Sequence, residues 1–214
     1  MIFSSLYNAP ISYYAILLRN RKLVTIEQYD HYTKQTYRNR CRILGANGII
    51  DLVIPVVKMP GQKVFMKDVR IDYDSNWHKI HWKSIVSAYA SAPFFEFMED
   101  SFSEIYHRKY TFLLDLNMDL LLLVLDLLQV SANINRSTSY LPVDRNRDTR
   151  EAIHPKRDFY HINYTYKSVK YHQVFWEKHN FKADLSILDL LFNEGPNAGT
   201  VLQKSIINRK KNPA

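Results

Sequence analysis

The order of hydrophobic periods predicts an α/β or α+β chain in which a small mixed β-sheet is flanked by a central group of helices. Three observations carry that reading. A helical stretch near the start feeds a short β-branched strand; apolar residues run or alternate as in strands between 50 and 73; and from Trp77 to Gln129 the spacing turns helical.

Pro10, in the first turn of a helix over 11–20, precedes a strand at 23–26. Residues 50–57 read as a strand closed by Pro60 and Gly61, and residues 65–73 alternate, with Phe65, Val69, Ile71 and Tyr73 inward and Asp68, Arg70 and Asp72 opposite. These two stretches predict a hairpin. Trp77, His81, Trp82, Ile85 and Tyr89 recur at helical spacing, and Ser91-Ala92-Pro93 separates that helix from two more, over 93–107 and 111–129. The last is strongly apolar from 112 to 128, but Asp115, Asn117, Asp119 and Asp126 interrupt it. Ionised groups at bilayer depth are costly, so the stretch predicts a buried amphipathic helix and no membrane span.

Residues 131–157 are polar and charged and predict a long loop; β character returns at 160–166 and 169–176. Asp184 is placed to cap a final helix over 185–193, which Gly195-Pro196 breaks. No repeat or linker divides the chain, so one domain is expected over 1–207, followed by a frayed tail at 208–214.

Hydrophobic residues make up 46% of the 214 and charged residues 23%, ordinary globular usage that excludes wholesale disorder. The single cysteine, Cys41, forms no intramolecular disulfide, and no basic, apolar and small-residue leader opens the sequence; a cytoplasmic location is expected. Beside Arg40 and Arg42, Cys41 is readable as an activated thiolate or as a small buried filler. Eight histidines lack zinc-site spacing, and five scattered glycines form neither a P-loop nor a dinucleotide fingerprint, so neither a metal nor another cofactor is expected. A net charge of +8 without a recognisable nucleic-acid module points to an anionic small molecule rather than nucleic acid.

The stretch from Tyr32 to Arg42 holds four cations and no acid. If extended, it places Lys34, Arg38, Arg40 and Arg42 on one face and Gln35, Tyr37, Asn39 and Cys41 on the other, so one face can grip an anion with guanidinium forks. A solvated edge strand is the alternative. His81, one turn after Trp77, is readable as a general acid or base beside an aromatic wall or as a core histidine held by the backbone. Asp68 is readable as half of an acid–base pair with Asp72 or as the partner of Arg70. His154 and Lys156, with Tyr171 and Gln173, add basic and hydrogen-bonding groups, and Asp189 falls within an amphipathic pattern.

Several segments resemble the bacterial WbqC-like protein family: Lys34-Gln35-Thr36-Tyr37-Arg38-Asn39-Arg40, Gly45-Ala46-Asn47-Gly48, Asp68-Val69-Arg70-Ile71, Trp77 with His81-Trp82, Asp115-Leu116-Asn117, Ile153-His154-Pro155-Lys156, Tyr171 with Gln173, and the run from Leu185 to Pro196. The segments occur in the family's order across nearly the whole chain. The resemblance implies a place in surface-polysaccharide synthesis and transfer of an acyl or aminoacyl group onto a nucleotide-linked amino sugar. A non-catalytic protein that binds such a ligand is the second reading. In the first, His81 or Asp68 deprotonates the attacking amine, Arg38, Arg40 and Arg42 hold phosphates, and Trp77 stacks on sugar or base; Gln35, Asn39, His154, Tyr171 and Gln173 complete the expected site.

Overall fold

The computed structural model describes residues 1–57, 61 and 63–208. Helices and small sheets make up the mixed α/β architecture that the sequence predicts. Strand β1 (Ile2–Ser4) leads into helix α1 (Ile11–Arg19), which returns the chain to β2 (Val24–Glu27). Because β1 and β2 are parallel, with Ile2 opposite Thr25, a crossover must join them, and α1 supplies it. Strand β5 (Ile134–Arg136) joins the other edge of β2, also in parallel, giving the order β1-β2-β5.

Helix α1 is buried on nearly all sides, from Ile11 to Leu18, so its apolar run serves a helix enclosed by the protein rather than a surface one. Pro10, at its N-cap, offers no side-chain cap. The cap comes instead from far along the chain: Asp184 accepts from the Ser12 amide at 2.8 Å and from Ser12 Oγ at 2.9 Å. The expectation that Asp184 caps the helix following it is therefore corrected. Ser186 does that, accepting from the Leu188 amide at the start of α6 (Ile187–Glu194).

The expected hairpin between 50–57 and 65–73 is also corrected. Strand β4 (Gly48–Val53) pairs with β3 (Arg40–Gly45), the two being joined by the tight turn at Ala46-Asn47. Residues 66–68 form a single 3-10 turn, and among the described residues the isolated bridge between Val56 and Ile71 is what remains of the predicted pairing. Pro60 lies outside the described residues. Alternation alone did not reveal that Met66 would be drawn into the core, where it is 1% exposed.

Helices α2 (Trp77–Tyr89), α3 (Glu99–His107) and α4 (Leu113–Leu127) follow in the predicted order. In α4 the acids fall at 115, 119 and 126, on one stripe with exposed Leu122, while Leu113, Leu116, Leu120 and Val124 are sealed. Asp115 pairs with Arg136 at 3.2 Å and Asp119 with Arg108 at 3.2 Å, both on the solvent side. Asn117, buried on the opposite face, donates to Ser5 Oγ and to the Arg38 carbonyl.

Beyond the long loop, β6 (Tyr164–Tyr166) pairs with β7 (Ile206–Asn208), while 169–176 forms no strand and leads into one helical turn, α5 (Trp176–His179). A helix that the sequence reading did not distinguish, α7 (Ala198–Ser205), follows α6 and packs on α1. The expected tail lies outside the described residues beyond Asn208, which closes β7.

Gly195 ends α6 at φ 49°, and a Cβ there would sit 2.4 Å from the Phe94 ring. Left-handed backbone and a sterically closed neighbour both demand glycine. Gly195→Ala should lower unfolding stability by roughly 2 to 4 kcal/mol. Urea denaturation tests this; a change within about 0.5 kcal/mol would show that the ring moves away freely.

Candidate functional site

The side chains on which the sequence reading converged occupy four separate places. His81 lies in the core, 5% exposed, and lines none of the clefts described below. Its Nδ1 meets the Tyr7 hydroxyl at 2.9 Å, that hydroxyl meets the Tyr106 hydroxyl at 2.6 Å, and Asn8 Nδ2 donates to Tyr106 at 2.7 Å. A backbone hydrogen bond to Val53 engages the ring as well. With Asn8 donating to Tyr106, Tyr106 to Tyr7 and Tyr7 to Nδ1, every hydroxyl proton has an acceptor if the other ring nitrogen carries the imidazole proton. Burial then pushes the imidazole down to about 4, which keeps it neutral at pH 7. Trp77 packs edge-on against His81 with ring centroids 5.2 Å apart and is itself 5% exposed, so the pair forms part of the core wall.

Asp68 sits in the 3-10 turn and pairs with its neighbour Lys67 at 3.0 Å, not with Arg70. Tyr171 and Gln173 are buried and serve Asp189. That carboxylate, 1% exposed, accepts from Tyr171 at 2.6 Å, Gln173 at 2.9 Å and Tyr89 at 3.1 Å. The amphipathic reading of Asp189 is therefore corrected: the side chain turns inward to a cage of donors. Burial raises its pKa to about 6 although all three donors pull it down. Cys41, 1% exposed, is a buried thiol whose pKa burial raises, the filler rather than the activated thiolate.

The basic run is extended only from Arg40, because turns occupy 34–38, and among the described residues its three arginines, though not Lys34, are met by acids from outside it. Arg38 is 4% exposed and donates to Asp30 at 2.7 Å. Arg42 Nε donates to Asp51 at 3.0 Å, and Arg40 approaches the same carboxylate at 4.0 Å. Asn39 is buried and donates to the Ile54 carbonyl.

Arg42 reaches further. Its second donor bonds the Pro155 carbonyl at 3.1 Å, bringing the β3–β4 hairpin against residues 154–158. Lys156 from that segment in turn bonds Gln35 Oε1. Here the fold opens a cleft of about 820 Å³, lined by Tyr37 and Arg42 on one side, His154, Lys156 and Arg157 on another, and Tyr166 and Asp184 beneath. This size falls within the usual range of small-molecule sites. Of the sequence-predicted residues, Arg42, His154 and Lys156 line this cleft, with Arg157 from the same basic segment, and Gln35 touches Lys156; Tyr166 and Asp184 are the members that the sequence did not place in a site. The sequence reads Asp184 as the cap of its own helix and Tyr166 as the end of a β stretch.

The electrostatics of the cleft are mixed. Burial, followed by the charges of Arg157 and Lys156, lowers the His154 pKa, so its ring stays neutral beside two cations. Asp184 accepts from the Ser12 amide and hydroxyl, yet burial outweighs those bonds and raises its carboxyl to about 6. Burial pushes Tyr37 up to about 12. Across Arg157 and Asp158, which line both, lies a second cavity of about 500 Å³ walled by Tyr140, Arg150 and Glu151. Arg150 is fixed there by a two-pronged ion pair with Asp148.

Among the described residues no cluster of three or more His, Cys, Asp or Glu side chains is placed to hold a metal ion, and no helix is long and apolar enough to cross a membrane. The architecture is that of a mixed α/β protein with a cation-lined cleft between a β-hairpin and a long loop. Residues 6–158 match the WbqC-like protein family, and the chain belongs to that family. It is also similar to the uncharacterized protein Rv1507c of Mycobacterium tuberculosis, with 26% identity over 201 residues, covering 82% of this chain and 86% of that protein. No solved structure matches.

Asp189 offers a direct check on the buried network. An acid raised from 3.8 to about 6 holds its proton in the fold where the unfolded chain has released it, so stability falls as pH rises from about 4 to 6 and is level above. The contribution is on the order of 2 kcal/mol. Asp189→Asn should remove that slope, read as the difference between urea unfolding free energies at pH 4.5 and 7.5. Parallel pH profiles for the two proteins would mean that Asp189 titrates normally.

Proposed function

We propose that the cleft of Arg42, His154, Lys156, Arg157 and Asp184 accepts an anionic nucleotide-linked amino sugar, and that the protein transfers an acyl or aminoacyl group onto it in bacterial surface-polysaccharide synthesis. One observation carries the reading. Cations from two distant segments meet at one cleft alongside aromatic rings and a carboxyl whose pKa lies near 6. Lys156 and Arg157 are exposed and Arg42 is partly so; Arg157 gives one donor to Glu151 and Arg42 gives two to Asp51 and Pro155, which leaves their remaining donors for phosphate oxygens, and the half-buried Tyr166 offers an apolar face to a sugar or base. The resemblance to WbqC-like proteins supplies the substrate class.

Asp184 is the group suited to take a proton from an attacking amine. A carboxyl near 6 is largely ionised at neutral pH yet basic enough to accept a proton as the nitrogen bonds to the acyl carbon and the bond from that carbon to the donor's carrier breaks, the carrier leaving with the bonding electron pair. His81 and Asp68 do not line this cleft. The second reading, a binding protein without catalysis, is favoured by a different observation: Asp184 is already committed to capping α1, so its position has a sufficient structural cause.

The readings separate in one series. Nucleotide-linked amino sugars should raise the melting temperature, and Arg42→Gln with Lys156→Gln should weaken binding by roughly 10- to 100-fold, as expected when charge-assisted hydrogen bonds are lost. Asp184→Asn should keep binding and lower transfer by roughly 10²- to 10⁴-fold. No thermal shift with any such sugar, or equal affinity in the double variant, would remove the cleft from consideration. Binding without transfer from any acyl donor would establish the non-catalytic protein.

A further inference from the structure

Away from the cleft, a trough of about 880 Å³ lies at the C-terminal end of α1, with Arg19, Arg21, Lys22 and Arg147 along its lining and Leu18 and Leu23 among them. It shares no lining residue with the candidate cleft or with the cavity beside it. Its lining contains no aspartate or glutamate. Most arginines elsewhere in the fold meet carboxylates, among them Arg38 with Asp30, Arg42 with Asp51, Arg108 with Asp119, Arg136 with Asp115 and Arg150 with Asp148, whereas Arg70 and Arg145 stand singly without one among the described residues. None of the four trough cations forms an ion pair among the described residues; Arg19 donates instead to the neutral amide oxygen of Asn208, at 3.3 Å. Like charges gathered without a counter-charge repel one another, so an anion placed among them gains from each.

The backbone holds these positions. The Asn20 amide bonds the Leu17 carbonyl at 2.9 Å and the Leu23 amide the Asn20 carbonyl at 3.2 Å, closing the turn that carries Arg21 and Lys22. The Arg21 carbonyl accepts from Asn133 at 2.9 Å, tying that turn to the approach of β5. The Arg147 carbonyl accepts from Ile2 at 2.6 Å, setting the fourth cation beside β1. The backbone that carries the donors is therefore in place, and a ligand has to order the exposed side chains but not a loop. A carboxylate or monophosphate meets such cations at one point, whereas two linked phosphates spread their oxygens along a lining that carries four of them.

We propose that this trough is a second anion site, which receives a pyrophosphate group and lays any apolar portion of the same molecule on Leu18 and Leu23. The pyrophosphate belongs either to a soluble ester or to the headgroup of a lipid, and Leu23, 49% exposed, favours a ligand with apolar surface beside its phosphates.

Inorganic pyrophosphate is the first probe, titrated calorimetrically against the whole chain, against Arg21→Gln with Arg147→Gln, and against Arg42→Gln with Lys156→Gln in the candidate cleft. Binding that falls at least tenfold in the trough variant and persists in the cleft variant supports the proposal, whatever becomes of the reading of the cleft. The second probe is co-sedimentation with vesicles of neutral phospholipid or of neutral and anionic phospholipid mixed. Retention on anionic vesicles alone, lost in the trough variant, identifies the lipid headgroup as the source; pyrophosphate binding without retention identifies the soluble ester. Absence of binding to both probes overturns the proposal, as does binding that the trough variant leaves unchanged. Arg21 and Arg147 are exposed, and unaltered circular dichroism of the variant keeps a loss of binding distinct from a loss of fold.

Discussion

Residues 8–12 are clamped to residues 184–187, and the rest of the architecture is arranged around that join. The Ile11 amide bonds the Leu185 carbonyl at 3.0 Å, the Ile187 amide bonds the Ala9 carbonyl at 2.9 Å, and Ser186 Oγ donates to the Asn8 carbonyl at 2.9 Å. The Ser186 amide meanwhile bonds the Arg42 carbonyl at 2.8 Å, so the start of α1, the start of α6 and strand β3 converge on one serine. Buried peptide groups left unpaired would each cost on the order of 1 to 3 kcal/mol, which makes this exchange of backbone partners a strong constraint on the relative placement of three elements. It encloses α1, directs Asp184 to Ser12 and sets Arg42 at the edge of the cleft.

Helices were legible because their signal is local and repeats: the period of Trp77, His81, Ile85 and Tyr89 and the acidic stripe of α4 are properties of one segment. The strands were legible only where they are β-branched and continuous, as at 24–27. Strands β5 and β7 have three residues each and exist because a partner is already in place, a fact that no window of sequence contains, while β6 occupies only the last three residues of the expected stretch 160–166. The same asymmetry governs the candidate site. The run from Lys34 to Arg42 has no acid within it, and read alone it is a free cationic face. In the fold Asp30 and Asp51, just outside the run, neutralise Arg38 and Arg42, while a group of cations without carboxylate partners among the described residues gathers in the trough from 19, 21 and 22 and from 147, more than a hundred residues further along the chain.

Polar groups in the core were the least legible of all. Tyr7, Asn8, His81 and Tyr106 form one chain of hydrogen bonds, and Tyr89, Tyr171 and Gln173 surround Asp189 in another, although the members of each are scattered along the chain. Each such chain is tolerable in a low-dielectric interior only when nearly every donor finds its acceptor, so it specifies the packing around it more sharply than aliphatic contacts do. That requirement explains why residues with chemistry in their side chains, and family motif positions among them, came to rest in the core instead of at the cleft. A titratable side chain in a motif records a demand for a partner, and the partner here is another side chain of the same protein.

Asp184 joins the two demands. Its oxygens complete the first turn of α1 through Ser12, and the same carboxyl lines the cleft that Arg42 and Lys156 help to enclose. Its left-handed backbone, at φ 52°, is a further constraint at this position, of a kind that aspartate tolerates better than most residues. Any ligand that engages the cleft without displacing Ser12 therefore binds a surface whose integrity is part of the clamp between the two ends of the chain. Local opening of that clamp would abolish the cleft and uncap α1 together. Binding consequently acts on the stability of the clamp as a whole, by RT ln(1 + [L]/Kd), because the open form lacks the site that the ligand recognises.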